Sequence, residues 1–144
     1  MKGPYCGSCL CGAVRFEIDE SLPDAAHCHC SMCRKFHGAS FATFVTAKCN
    51  DFRWIKGEDM LKDYTAENGT IRTFCQHCGS SLSFQNAAGA QDLIETPLGA
   101  MDSEVPVKPN AHIFVGSAAG WTAFTDELPK YREGRQSRRC HRTW

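Results

Sequence analysis

The chain has 144 residues and a mass of 16.0 kDa, enough for one domain with its own core and short for two. Its 42% hydrophobic and 22% charged residues are ordinary for a soluble globular protein, and no stretch approaches the roughly 18 apolar residues of a membrane span, which excludes a helical membrane protein. Sixteen basic residues cancel sixteen acidic ones, so no whole-chain attraction to nucleic acid or an anionic membrane arises, and the one anomaly is ten cysteines.

In chain order, Ala13 to Ile18 alternates apolar and polar residues as a half-buried strand does. Ser31 is a good N-cap for a short helical turn through Met32 to Phe36, stopped at Gly38. Phe41 to Thr46 is rich in aromatic and β-branched residues, Phe52 to Lys56 follows in the same style, and Leu61 to Thr65 and Thr70 to Phe74 flank an Asn68-Gly69 hairpin turn. Ser81 to Phe84 and His112 to Val115 complete the strands, while Gln85 to Gln91 reads as a low-complexity loop. Short strands punctuated this densely predict a mainly β, mainly antiparallel domain. Phe16, Phe41, Phe44, Trp54, Phe74, Phe84 and Phe114 fall in strand patterns and are expected in its core.

From Lys130 to Trp144 six basic residues stand against Glu133 alone, so the last fifteen residues carry +5 and the rest −5. We therefore expect one domain over 1–131 and a flexible basic tail over 132–144, solvated rather than bound to nucleic acid.

Cysteine serves either as disulfide in an oxidising compartment or as thiolate on metal in a reducing one. Met1 to Cys6 lacks the apolar stretch of about 7–15 residues of a secretory leader, which predicts a cytoplasmic protein. Seven cysteines fall in three tight clusters: Cys9 with Cys11; Cys28, Cys30 and Cys33; Cys75 with Cys78. Neighbours this close are better placed to chelate one ion than to cross-link. The outer two pairs make one closed four-sulfur site, with Gly12 and Gly79 freeing the backbone beside them. The middle cluster offers three sulfurs, because residues two apart in an extended segment share a face and the turn at Ser31 returns Cys33 to it. It is either open at its fourth vertex or closed by His27, His29, His77 or a distant side chain. Cys6, Cys49 and Cys140 have no neighbour at ligand spacing and are expected as free thiols.

Gly7-Ser8-Cys9-Leu10-Cys11-Gly12-Ala13-Val14, His27-Cys28-His29-Cys30-Ser31-Met32-Cys33-Arg34-Lys35, Phe74-Cys75-Gln76-His77-Cys78-Gly79-Ser80 and Ala111-His112-Ile113-Phe114-Val115-Gly116-Ser117 together resemble the glutathione-dependent formaldehyde-activating enzyme family, which also includes centromere protein V. The resemblance runs roughly from residue 5 to 131 in the family's order. It implies a β-tent fold and two zinc ions per chain: a structural one at Cys9, Cys11, Cys75 and Cys78 and a catalytic-type one at Cys28, Cys30 and Cys33. Where the family commonly continues Ser-Lys-Ala-Pro-Trp, this chain has Ser117-Ala118-Ala119-Gly120-Trp121.

Three thiolates and Zn²⁺ sum to −1, a poor Lewis acid for making hydroxide but a good host for a soft substrate thiol. A thiol held there beside a carbonyl becomes a nucleophile. The expected activity is a carbon–sulfur lyase or synthase acting on adducts of a glutathione-like thiol with a small aldehyde such as formaldehyde. His27 or His29 would carry the proton, and Gly38, Ser40 and Trp121 would shape the rim. Two other readings stand beside it: a non-enzymatic zinc module for protein or nucleic-acid binding, and a thiol redox or metal sensor.

Overall fold

The structure is a computed structural model that describes residues 3–19, 24–86 and 92–140. Its strands are β1 (Tyr5–Ser8), β2 (Arg15–Ile18), β3 (Asp24–Cys28), β4 (Ala42–Lys48), β5 (Phe52–Lys56), β6 (Leu61–Thr65), β7 (Ile71–Cys75), β8 (Ser81–Gln85), β9 (Leu93–Pro97), β10 (His112–Ile113), β11 (Lys130–Tyr131) and β12 (Arg139–Cys140). One α-helix, α1 (Ser31–His37), stands between β3 and β4. The protein is mainly β with open sheets, as its pattern predicts. Of the loop expected over Gln85 to Gln91, residues 87–91 lie outside the described residues, and so do 141–144 of the tail. Two compact units are built, Met1–Pro23 with Val45–Val107 and Asp24–Phe44 with Lys108–Trp144, the division falling inside β4.

In the first unit β1, β2 and β5 form an antiparallel sheet in which Gly7 faces Phe16. Position 7 has no room for a side chain, because a Cβ there would overlap the Phe16 ring. That ring stacks on Phe52 with centroids 5.2 Å apart and meets Trp54 edge-on at 5.9 Å. The strands β6 to β9 form an antiparallel meander. The predicted turn joins β6 to β7: Asn68 Oδ1 accepts from the Thr70 amide at 3.0 Å, and the Gly69 amide donates to Ala66 O at 2.9 Å. Tyr5, Val14, Phe16, Ile18, Val45, Leu82 and Ile94 are buried with Cys9 and Cys75 among them. At about 1.5–3 kcal/mol for each large apolar side chain, this cluster is the main stabilising term of the unit. Phe74 and Phe84 are only half-buried, contrary to expectation. The buried residues of β7 are instead Cys75, Arg72, whose guanidinium lies 5.0 Å from the Phe84 ring, and Thr73, which donates to Asp63 Oδ1 at 2.6 Å.

In the second unit the strand order is β12-β11-β10-β3. Two pairings here depart from the antiparallel expectation: β10 runs parallel to β3, with His112 opposite His27 and Ile113 opposite Cys28, and parallel to β11. The cause is connectivity, since β10 reaches β3 from far along the chain rather than through a hairpin. Arg139–Cys140 pairs antiparallel with Lys130–Tyr131. Arg135 Nη2 donates to Asp24 Oδ1 at 2.8 Å, Ala25 O at 2.9 Å and Asn110 Oδ1 at 2.6 Å. The buried side chains are mostly small or polar, namely Ala25, Ala26, Cys28, His29, Cys33, Ala42, Ala111 and His112, with Phe44 and Val115 the larger apolar ones. Thiols and imidazoles occupy the centre of this unit, where the first unit has Leu and Ile.

Candidate metal centres and active site

The four-cysteine group is built by two turns of the first unit. After β1 the chain makes a tight loop in which the Cys9 amide donates to Val14 O, the Gly12 amide to Cys9 O, and the Val14 amide to Cys9 Sγ at 3.2 Å. Gly12 supplies the positive φ of 77° that this loop needs. After β7 the Gly79 amide donates to Cys75 O at 2.7 Å and the Cys75 amide to Ser80 O at 3.0 Å, with Gly79 at φ 78°. The Ser80 hydroxyl ties the two turns together, 2.9 Å from the Leu10 amide and 3.2 Å from Cys78 Sγ.

The four sulfurs of Cys9, Cys11, Cys75 and Cys78 lie within 4.8 Å of one another. Cys9 and Cys11 are 3.5 Å apart and Cys11 and Cys75 are 3.9 Å apart. A tetrahedron with metal–sulfur bonds of about 2.3 Å has edges of about 3.8 Å, so the donor set fits a thiophilic ion such as zinc. Separations this long also exclude disulfides, and none of the ten cysteines is in one. The fold prepares the charges unevenly. Against burial, which raises them, hydrogen bonds from the Val14 amide hold the Cys9 thiol below its usual range and hydrogen bonds from Ser80 hold Cys78 down at about 5. Against the Ala13 amide, which lowers it most, burial and the sulfurs of Cys9, Cys78 and Cys75 together push Cys11 up to about 11.

The three-cysteine group lies in the second unit. Cys28 ends β3, Cys30 is extended at φ −62° and ψ 148°, and Cys33 comes back on the first turn of α1. The helix N-cap is Cys30, not Ser31 as the sequence predicts, because Ser31 is already helical and the Cys30 sulfur accepts the Cys33 amide at 3.3 Å. Gly38 closes the helix as expected, left-handed at φ 61° with its amide on Arg34 O. The three sulfurs lie within 4.8 Å of one another, and among the described residues no histidine or carboxylate joins them. Hydrogen bonds from Cys30 and Cys33, then burial, push the Cys28 thiol far up. Three crowded sulfurs resist joint ionisation without a cation between them, which is the donor chemistry of a soft metal site with one position left.

A family model described as glutathione-dependent formaldehyde-activating enzyme matches residues 4–117. The chain belongs to that family. A Halomonas elongata protein named a putative glutathione-dependent formaldehyde-activating enzyme is 28% identical over 141 residues, 93% of this chain and 84% of its own. A Schizosaccharomyces pombe protein named an uncharacterized lyase is 28% identical over 85 residues, 59% of this chain and 60% of its own. A Rhodobacter sphaeroides protein of known crystal structure superposes with a TM-score of 0.59 at 28% identity, over 70% of this chain and 91% of that one.

In this formaldehyde-activating family member the histidines form a chain that sequence reasoning missed. His29, fully buried, places Nε2 2.8 Å from His112 Nδ1, and His112 Nε2 is 2.8 Å from Asp126 Oδ2. Lys130 Nζ, bonded to Leu128 O at 2.8 Å, stands 3.5 Å from Asp126 Oδ1, and the Leu128 amide donates to that oxygen at 3.0 Å. Because the carboxylate only accepts, His112 Nε2 carries the proton and its Nδ1 accepts from His29 Nε2–H. His29 Nδ1 is then left as a bare lone pair, and it is a buried atom with no partner among the described residues. Burial first, then His112, His27 and Arg34, pull the His29 pKa down to about 4 against the pull of Asp126. His27 is lowered too, by burial and then His112, and its Nδ1 is 2.8 Å from Thr43 Oγ1.

Phe41 packs on these rings, 4.6 Å from His27 and 5.0 Å from His29, and is half-buried rather than core. Phe124 lies 5.0 Å from both His29 and His112. His77 is exposed in the first unit. Trp121 is 74% exposed, Ser40 is half-buried after the helix cap, and neither they nor Gly38 line the cavity of about 710 Å³ that this unit contains. No helix among the described residues is long and apolar enough to cross a membrane.

Proposed function

We propose that the protein makes or cleaves the carbon–sulfur bond of an adduct between a glutathione-like thiol and a small aldehyde such as formaldehyde, as a cytoplasmic zinc-dependent lyase with two zinc ions per chain. The observation that carries this reading is the group of Cys28, Cys30 and Cys33, three sulfurs within 4.8 Å and no fourth ligand among the described residues. The other group, Cys9, Cys11, Cys75 and Cys78, is complete in itself and is the structural site. Cys28, Cys30 and Cys33 would hold a soft divalent ion, which when bound would acidify a substrate thiol.

The residues of the chain do the rest. His29 Nδ1 takes the thiol proton, and His112 with Asp126 keeps the imidazole in the tautomer that can do so. As sulfur attacks the carbonyl carbon and the C–S bond forms, the oxygen gains the electron pair and receives that proton, giving a hydroxymethyl thioether without change of oxidation state. In reverse, His29 removes the hydroxyl proton and the C–S bond breaks. His27, with Nδ1 engaged by Thr43, acts as the neighbour that orients this array. Gly38 and Ser40, just after the helix that carries Cys33, and the exposed Trp121 are assigned to the rim of this centre and not to the cavity. The test is exchange NMR of glutathione and formaldehyde with the zinc-loaded protein. Exchange faster than the uncatalysed rate is expected, and an unchanged rate sinks this substrate pair.

A further inference from the structure

The cavity of the second unit is lined by residues from two stretches of chain, among them Gly116, Thr122 and Phe124 from the first and Arg132, Arg138 and Arg139 from the second. Most of this lining lies beyond residue 117, where the family match ends. Among the described residues no carboxylate is within ion-pair distance of any of the three arginines. Thr122, another wall residue, has a buried hydroxyl with no partner among them. Elsewhere the lining carries almost no side chains, at Gly116, Ala118, Ala119 and Gly120. At Gly116 a Cβ would fit tightly, 3.1 Å from Arg132 O and 3.2 Å from Arg132 Cγ.

We propose that this cavity is an anion site for a small organic molecule bearing two or more carboxylates, gripped by Arg132, Arg138 and Arg139. A volume of about 710 Å³ falls within the range of small-molecule pockets, about 300–1,000 Å³. A guanidinium fork matches a carboxylate with two parallel hydrogen bonds, and three forks without a carboxylate partner among the described residues suit more than one acid group. Arg139 lies in β12, opposite Tyr131 of β11, and the Arg132 amide donates to Arg138 O at 3.0 Å, so backbone hydrogen bonds tie the segments that carry the arginines. Phe124, which lines the cavity, also packs on His29 and His112. The bound acid is therefore placed to be the non-reacting end of the thiol substrate, and this clause alone rests on the function proposed above. A nucleic acid would present phosphates along a surface, whereas these arginines line one concavity.

Calorimetric titration of the metal-loaded full chain with S-methylglutathione, whose sulfur has no proton to lose, and with its dimethyl ester tests the site. The diacid should bind, the diester should bind about tenfold or more weakly, and Arg132→Gln or Arg139→Gln should each weaken the diacid by about tenfold or more. Equal binding of acid and ester, or unchanged affinity in both variants, overturns the proposal. So does a single-stranded oligonucleotide that binds more tightly than the diacid and is lost in the same variants. If a glutamine variant does not fold, wild-type binding that is unaltered between about 20 and 300 mM salt overturns it instead. Diacid binding without any acceleration of thiol–aldehyde exchange leaves the site standing and removes the lyase reading.

Discussion

His29 Nε2 stands 2.8 Å from His112 Nδ1, between residues 83 apart in the chain, and Asp126 accepts from the far side of His112. The carboxylate fixes both imidazole tautomers by being unable to donate. Asp126→Asn replaces it with a group that donates as readily as it accepts, which lets the array reverse and puts a proton on His29 Nδ1. The turnover rate of thiol–aldehyde exchange should fall by about 10- to 100-fold with little change in KM. An equal loss in KM alone would assign Asp126 to binding rather than to the proton.

Asp126 also makes stability depend on pH. Against burial, which raises it, the hydrogen bond from His112 and the approach of Lys130 hold its pKa below the usual carboxylate value. A depressed folded value contributes stability above the unfolded pKa of about 3.9, and that stability is lost as pH falls through the folded value. Urea midpoints of wild type and Asp126→Asn should therefore differ at pH 7 and converge below about pH 4. A gap that widens on acidification would contradict the sign.

The two sulfur groups should separate in a metal count. Wild type should carry about two zinc per chain. Cys30→Ala should carry about one and stay folded, losing about 1 kcal/mol for the helix cap besides the metal. Cys75→Ala should disrupt the first unit, because Cys75 is wholly buried in its core. Mass spectrometry under native conditions reads the count, and circular dichroism reads the folding.

Arg135→Ala removes one donor from three acceptors, Asp24, Ala25 and Asn110. Leaving these groups without a charged partner should cost about 1–3 kcal/mol, read by thermal or urea unfolding. A neutral result would mean that the 132–140 segment is held by its strand pairing alone.

Gly116→Ala should weaken diacid binding by about three- to tenfold while changing stability by less than about 1 kcal/mol, because the neighbour that must yield is the flexible Arg132 side chain as well as its carbonyl. Calorimetry beside a melting curve separates the two effects.

Much of this was legible locally. The clusters are visible because ligand spacing within a turn is a sequence property, and Phe52–Lys56 and Leu61–Thr65 appear as strands with the bounds their patterns predict. β3 was not visible, since Asp24-Ala25-Ala26-His27-Cys28 contains no β-branched residue, yet it carries Cys28 into place. His112 and Asp126 leave no local trace of their roles: one lies in a two-residue strand and the other in a loop, and only parallel pairing of β10 with β3 brings His112 to His29. Phe41 has the composition of a core residue and packs on imidazoles instead, because its neighbours come from another strand. The tail's charge was plain, whereas the cavity it walls depends on β11 and β12 pairing.

Cys30 Sγ accepts the Cys33 amide while standing among the three sulfurs. That single backbone proton is consequently a gauge of the centre. When the sulfur is a metal-bound thiolate, the amide has a charged acceptor and should resonate downfield and exchange slowly with deuterium. When the ion leaves and the sulfur takes a proton, the acceptor weakens. A seven-residue helix is too short to persist on its own, so its first turn should fray at the same moment. One nitrogen-15 cross-peak, followed during titration with a chelator, would read ligand ionisation and helix melting together, without any substrate in the tube.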